Sequence, residues 1–289
     1  GNAVVTVLDL PTATISGATQ VCLNSTSPTV TFTGSNGAAP YTFTYTINGG
    51  TQQTVTSTTN SVTVSVPTTT AGSFEYTLVS VSSSTNPNCN NTATGSTTIT
   101  VLDLPTASVM ASNNICLGSE GTITFTGTPN ATITYTIDTV TQTIVLDGSG
   151  TQSLTVTVNA DVVVSLVSIL DVQGCSNTLT GTATITKVDL PTATIAGSST
   201  ICSGTTTELI FQGTENAVVT FTGGGQTYTV TLDGSGAGRF TTPALTTNTT
   251  FELVSIAGAC SNTLTGNAVV TVLDLPTATI SGAQTICNG

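Results

Sequence analysis

Asp-Leu-Pro-Thr-Ala recurs with its aspartate at Asp9, Asp103, Asp189 and Asp274. Self-similarity at a fixed period, here about 90 residues, decides architecture before any motif does, and it makes the chain a tandem array. Each aspartate is followed thirteen positions later by a cysteine (Cys22, Cys116, Cys202, Cys287), and a second cysteine (Cys89, Cys175, Cys260) precedes the next aspartate by fourteen. That one rule places all seven cysteines. Only the stretch between the two cysteines of a repeat varies, longest from Cys22 to Cys89 and nearly equal in the other two repeats, which locates the loop insertions. The opening GNAVVTVLDLPTATISGA at 1–18 returns at 266–283. The expected division is the last strand of a preceding repeat at 1–8, repeats at 9–102, 103–188 and 189–273, and the start of a further repeat at 274–289. On this reading the sequence is a segment of a longer chain.

Repeats of this length have the size of small independent domains. Lys187 and Arg239 are the only cations, histidine is absent, and the net charge is -12. Such a surface repels phosphates and anionic headgroups, so nucleic-acid and membrane-surface partners are not expected. No run of eighteen apolar residues occurs, and membrane insertion is not expected either. Threonine is about a quarter of the chain. It supplies β-propensity without charge.

The third repeat parses into seven short strands at 192–196, 206–213, 217–222, 226–232, 237–241, 249–257 and 264–273, with Asp233-Gly234-Ser235-Gly236 as a tight turn read as a hairpin. In Phe43-Thr44-Tyr45-Thr46-Ile47 and Ile133-Thr134-Tyr135-Thr136-Ile137, apolar side chains alternate with threonines, the pattern of a strand with one core face. Leu78-Val79-Ser80-Val81, Leu166-Val167-Ser168-Ile169 and Leu253-Val254-Ser255-Ile256 read as a central strand, apolar on both faces. Residues 242–246 read as a crossover between sheets. The expected fold is all-β: tandem immunoglobulin-like, fibronectin-type-III-like seven-strand sandwiches. Proline in each Asp-Leu-Pro junction stiffens the link, so the array is expected to be a rod.

Leu190-Pro191-Thr192-Ala193-Thr194-Ile195, Thr200-Ile201-Cys202-Ser203-Gly204 and Gly258-Ala259-Cys260-Ser261-Asn262 resemble the Ig-like and PKD-like repeats of giant Bacteroidetes surface proteins, among them the SprB-like gliding-motility adhesins. Tyr45, Tyr135 and Phe221 stand where many such repeats carry tryptophan. The resemblance implies type IX secretion, an extracellular, cell-surface location and a role in adhesion or movement over surfaces. Implied partners are a surface polysaccharide or the anchoring machinery, besides neighbouring repeats. Asp138-Thr139-Val140 is similar to the O-glycan acceptor pattern of those proteins, which makes Thr139 a candidate O-glycosylation site.

Catalysis is not expected, because serine and cysteine lack a histidine partner and no carboxylate pair recurs in each repeat. No cofactor or metal is expected. Asp147-Gly148-Ser149-Gly150 and Asp233-Gly234-Ser235-Gly236 offer one carboxylate per loop, too few for calcium. The junction aspartates are single as well. Self-made isopeptide links need a lysine in every repeat, and ice binding needs a flatter lattice than a twisted sandwich gives. Asn24, Asn90, Asn130 and Asn248 begin N-glycan sequons. The expected role is a mechanical stalk or spacer. The rival is a glycan- or protein-binding module using repeat-one loops at 34–40 and 82–91.

The cysteines, with no Cys-x-x-Cys pair for zinc, read as structural disulfides formed in an oxidising compartment. Base rates favour Cys22 with Cys89, Cys116 with Cys175 and Cys202 with Cys260, leaving Cys287 to a partner elsewhere. Strand counting objects, since the two cysteines of one repeat then lie at opposite poles while a disulfide needs Cα atoms within about 7 Å. Either the segment at 197–204 folds back, or Cys22 bonds Cys175 and Cys116 bonds Cys260.

Overall fold

The computed structural model describes residues 1–5, 7, 9–84 and 89–286. Every regular element among the described residues is a β-strand. They fall into two compact units, one of residues 1–110, 123–154 and 163–183, the other of 111–122, 155–162 and 184–289.

In the first unit, Thr29–Ser35 lies between Thr12–Ser16 and Ser61–Ser65, antiparallel to both. A second sheet runs in the order Thr19–Cys22, Ser96–Leu102, Gly72–Ser83, Tyr41–Ile47 and Gln53–Ser57, with Asn90–Thr92 also on Gly72–Ser83. The second unit repeats this plan. Glu208–Gly213 sits between Ala193–Ala196 and Ala237–Thr241, and the other sheet runs Ser199–Cys202, Asn267–Leu273, Thr249–Ala257, Val218–Gly223, Gln226–Thr231, with Ser261–Thr263 on Thr249–Ala257. From the second repeat, Thr132–Ile137 pairs with Val140–Val145 and Val162–Leu170 in the first unit, and Ile115–Cys116 runs parallel to Lys187–Val188 in the second. These ladders define tandem immunoglobulin-like sandwiches.

Three details differ from the sequence reading. First, the opening strand divides between the sheets. Thr12–Ser16 pairs antiparallel with Thr29–Ser35, whereas Thr19–Cys22 crosses over and runs parallel to Ser96–Leu102. Gly17 makes the crossing at φ 125, and a Cβ there would stand 2.5 Å from the Thr29 carbonyl oxygen. Gly197 does the same in the third repeat at φ 118, so the switch needs a residue with no side chain.

Second, the Leu-Val-Ser-Val/Ile motif is a β-bulge. Thr220 pairs with Ser255 but the next residue, Phe221, pairs with Leu253, so Val254 is the extra residue; Val79 and Val167 hold the same place. The extra residue turns Leu253 and Ile256, three apart, to the same buried side, while Val254 is 42% exposed. The strand is central, as its pairing shows, but only one face is core.

Third, the Asp-Gly-Ser-Gly turns are not hairpins. Gln226–Thr231 and Ala237–Thr241 belong to different sheets, and the turn between them carries the chain across the sandwich. Gly236 takes φ +77 there, and its Cβ would lie 2.1 Å from the Gly213 carbonyl oxygen. Gly236→Ala should therefore destabilise the third repeat by about 2 kcal/mol, read from urea unfolding.

Phe221 lies at the centre of the third core, with ring centroids of Phe211, Tyr228 and Phe240 at 4.8, 5.6 and 5.1 Å. Tyr45 and Tyr135 hold the same register position in the earlier repeats and are also buried. Their hydroxyls donate to Gln53 and Gln142 on the adjacent strand, 3.2 and 3.1 Å away. Phe221 has no hydroxyl to satisfy, and Tyr228, not glutamine, is its cross-strand neighbour.

Candidate functional site

The chemistry of this chain is concentrated in its cysteines. Each early cysteine ends a short strand parallel to the last strand of its repeat: Cys22 is level with Leu102, Cys116 with Val188 and Cys202 with Leu273. The next residue then donates its N–H to that partner's carbonyl, as Leu23 to Leu102, Leu117 to Val188 and Ser203 to Leu273, all at 2.8 Å. Each late cysteine precedes a short strand, and its carbonyl accepts from the N–H of Ser83, Asp171 or Gly258; Cys175 and Cys260 each close a turn. The Asp171 carboxylate tightens one such turn by accepting from the N–H groups of Gln173 and Cys175 at 3.0 and 2.8 Å.

Cys22 is bonded to Cys175 and Cys116 to Cys260, with Cα atoms 5.5 and 5.8 Å apart. The pairing of Cys22 with Cys89, Cys116 with Cys175 and Cys202 with Cys260 is thereby corrected. The reason is distance along a strand. Leu102, level with Cys22, lies past the Gly72 end of the long strand Gly72–Ser83, and Cys89 adjoins Ser83 at the other end. At about 3.4 Å per residue the two poles are about 40 Å apart. Cys89, half-buried, and Cys202, exposed, carry free thiols. Cys287 lies outside the described residues.

A second junction device escaped the sequence reading. Asn91, Asn177 and Asn262, each two positions after a late cysteine, donate their side-chain amide to the carbonyl of Pro11, Pro105 and Pro191, in every case at 3.0 Å. The proline of one Asp-Leu-Pro motif is thus tied to the short strand that follows the late cysteine of the same repeat. Its signal was present as the recurrent Cys-x-Asn spacing.

The Asp-Gly-Ser-Gly carboxylates are spent on their own turns. Asp233 Oδ1 accepts from Ser235 N, Ser235 Oγ and Ala237 N at 2.8, 2.6 and 3.0 Å, and Asp147 is held in the same way by Ser149 and Thr151. The Ser235 hydroxyl, then the backbone N–H groups, favour the ionised form and hold Asp233 below the usual carboxylate range; the Ser149 hydroxyl leads for Asp147. A lowered folded pKa contributes stability that is complete above the unfolded value and is lost as pH falls through the folded one. Carboxyl NMR titration should place both midpoints below the ordinary aspartate value, and Asp233→Asn should weaken the acid dependence of unfolding.

Thr139 is exposed at the tip of a two-residue turn between Thr132–Ile137 and Val140–Val145, with φ 47 at Asp138 and 79 at Thr139. Asn48-Gly49 and Gly224-Gly225 hold the same turn in the other repeats, so Thr139 is a β-branched residue where its equivalents are glycine. Of the sequon asparagines, Asn24 and Asn130 hold left-handed turn positions, Asn90 begins the strand Asn90–Thr92, and Asn248 accepts from Val272 N at 2.7 Å. Lys187 pairs with Asp189, and Arg239 with Glu208. In the loop at 34–40, Ser83 Oγ donates to the Ala38 carbonyl at 2.7 Å, and the Tyr41 ring is buried beneath Gly34. Residues 85–88 of the loop at 82–91 lie outside the described residues.

No protein-family model and no curated protein matches the chain. Solved structures do. A 1.5-MDa bacterial ice-binding adhesin, studied for host cell surface retention, is similar at 18% identity over 93% of this chain and 99% of that one, with a TM-score of 0.49. Immunoglobulin domains 1–5 of Sidekick-1 are similar at 13% identity over 93% of this chain and 60% of that one, TM-score 0.41. A marsupial T cell receptor is similar at 10% identity over 88% and 99%, TM-score 0.40.

Proposed function

We propose that the chain is a load-bearing spacer of a repetitive extracellular protein, a stalk or filament segment of a cell-surface adhesin that transmits force and performs no catalysis. The observation that carries this reading is the disulfide pattern. A module built to hold a ligand needs its own fold kept closed, which intra-repeat bonds do. Bonds from each repeat to the next instead secure the array. They also call for an oxidising exterior, consistent with secretion. Interchangeable repeats with few charges give such a spacer little to stick to. In this reading the segment serves surface attachment or gliding, after type IX secretion, with a surface polysaccharide or the anchoring machinery engaged elsewhere. A glycan array probed with the whole chain should show no reproducible binding; binding lost on shortening the loop at 34–40 would replace the spacer with a ligand-binding module.

A further inference from the structure

A cavity of about 320 Å³ opens in the first repeat, walled by Ile47, Val66, Phe74 and the ring of Tyr76, with the exposed Thr69 and Thr70 at its mouth. It lies toward the Gly72 end of the strand Gly72–Ser83, whereas the loop at 34–40 meets Ser83 at the other end. Tyr76 is only 3% exposed, yet its hydroxyl has no hydrogen-bond partner among the described residues. No fully enclosed side-chain polar atom among them lacks a partner, so this hydroxyl faces open space, and the space beside Tyr76 is the cavity. Register shows how the cavity arises. Tyr76 pairs with Ile47, Val164 with Ile137 and Phe251 with Gly223, so the first repeat alone of the three has tyrosine there. Two positions earlier stand Phe74, Val162 and Thr249. The carbonyl that accepts from the N–H of Asn24, Gly118 or Gly204 belongs to Thr68, Val158 or Leu245. Val158 and Leu245 are buried, and Leu245 shares a core cluster with Phe251. Thr68 is shorter than Leu245 and spends its hydroxyl on the Ser25 carbonyl at 2.7 Å. The aliphatic plug of the other repeats is therefore missing from the first, and two aromatic rings line the gap.

We propose that this cavity binds a small, uncharged aromatic molecule bearing one hydrogen-bond acceptor, its ring against Phe74 and Tyr76 and its acceptor on the Tyr76 hydroxyl. Benzene fills an apolar cavity of about 150 Å³, so the larger volume here admits a substituted ring. Aromatic rings favour aromatic neighbours beyond the area they bury. No charged side chain lines the cavity among the described residues, so an ion would leave water without a counter-charge. A sugar has more hydroxyls than Tyr76, Thr69 and Thr70 can pair, and the rest would be buried against hydrocarbon. The neutral phenol donates, which selects a carbonyl or ether oxygen. Tyr45 stacks with Tyr76 at 5.9 Å between ring centroids and is itself tied to Gln53, so the donor is held in place before the ligand arrives. This inference does not rest on the spacer reading.

The test titrates the whole oxidised chain with para-fluoroacetophenone and follows the fluorine NMR signal. Saturable binding is expected, with a Kd of about 1 mM or tighter. Fluorobenzene, which lacks the acceptor, should bind about three- to tenfold more weakly, and para-fluorobenzoate should not bind. Tyr76→Phe should weaken para-fluoroacetophenone by the same factor and leave fluorobenzene unchanged; Phe251 shows that the fold accepts phenylalanine at this position. Thr70→Phe, at the exposed mouth, should abolish binding of both probes. Peptide maps retaining Cys22–Cys175 and Cys116–Cys260 establish that both variants are folded. Absence of saturation with the folded parent chain, equal binding of para-fluorobenzoate, or binding that neither variant alters would overturn the proposal. The glycan array has no bearing on these outcomes, so the two proposals fail separately.

Discussion

Stretched between Cys22 and Cys260 until every repeat is unfolded, the oxidised chain should stop at about 200 Å, and the reduced chain should reach about 800 Å. The limit comes from connectivity. Cys22–Cys175 and Cys116–Cys260 overlap in sequence, so the segments 22–116, 116–175 and 175–260 all run between the same two bonds. The shortest, about 60 residues from Cys116 to Cys175, becomes taut first at about 3.5 Å per residue. With both bonds broken, about 240 residues are free to extend. Cys116→Ser leaves the Cys22–Cys175 bond, and the limit becomes the 175–260 segment at about 300 Å. Single-molecule pulling with and without reductant measures all three. Equal extension before and after reduction would reject the pairing.

Phe221→Ala should destabilise the third repeat by about 3–5 kcal/mol, the usual cost of emptying a buried aromatic site. The ring has no exposed surface and touches aromatic partners on both sheets, so its neighbours have little freedom to close the gap. Phe221→Trp tests the same cavity from the other side. The ring enlarges into a filled site, and over-packing should cost about 1–3 kcal/mol. Urea unfolding of the oxidised chain measures both. A change below about 1 kcal/mol for the alanine variant would mean that Phe221 is not the centre of that core.

How much of this was legible in the sequence depends on the range over which each signal acts. Alternation in Phe43-Thr44-Tyr45-Thr46-Ile47 is local, and the strand Tyr41–Ile47 buries those apolar residues as read. The Leu-Val-Ser-Ile motif misled because hydropathy cannot distinguish a strand buried on both faces from one in which a single extra residue points outward; only the partner's register separates them. Asp-Gly-Ser-Gly specifies a tight turn but not which sheet receives the strand after it. The disulfides depended on three-dimensional poles. Counting strand directions had already set the two cysteines of a repeat at opposite ends, an objection stronger than the base rate it opposed. Cys-x-Asn was visible in every repeat, yet the carbonyl that Asn177 caps lies 72 residues away in sequence, beyond the reach of local reasoning.

The overlapping bonds also make the chain hard to sever. A protease that cuts once anywhere between Cys22 and Cys260 opens one of three covalent routes, and the two ends stay joined through the others. A second cut in another segment still leaves a route. Only a break in all three parts the protein, so a loop lost to cleavage in a protease-rich setting costs a repeat its local order but not the continuity of the molecule.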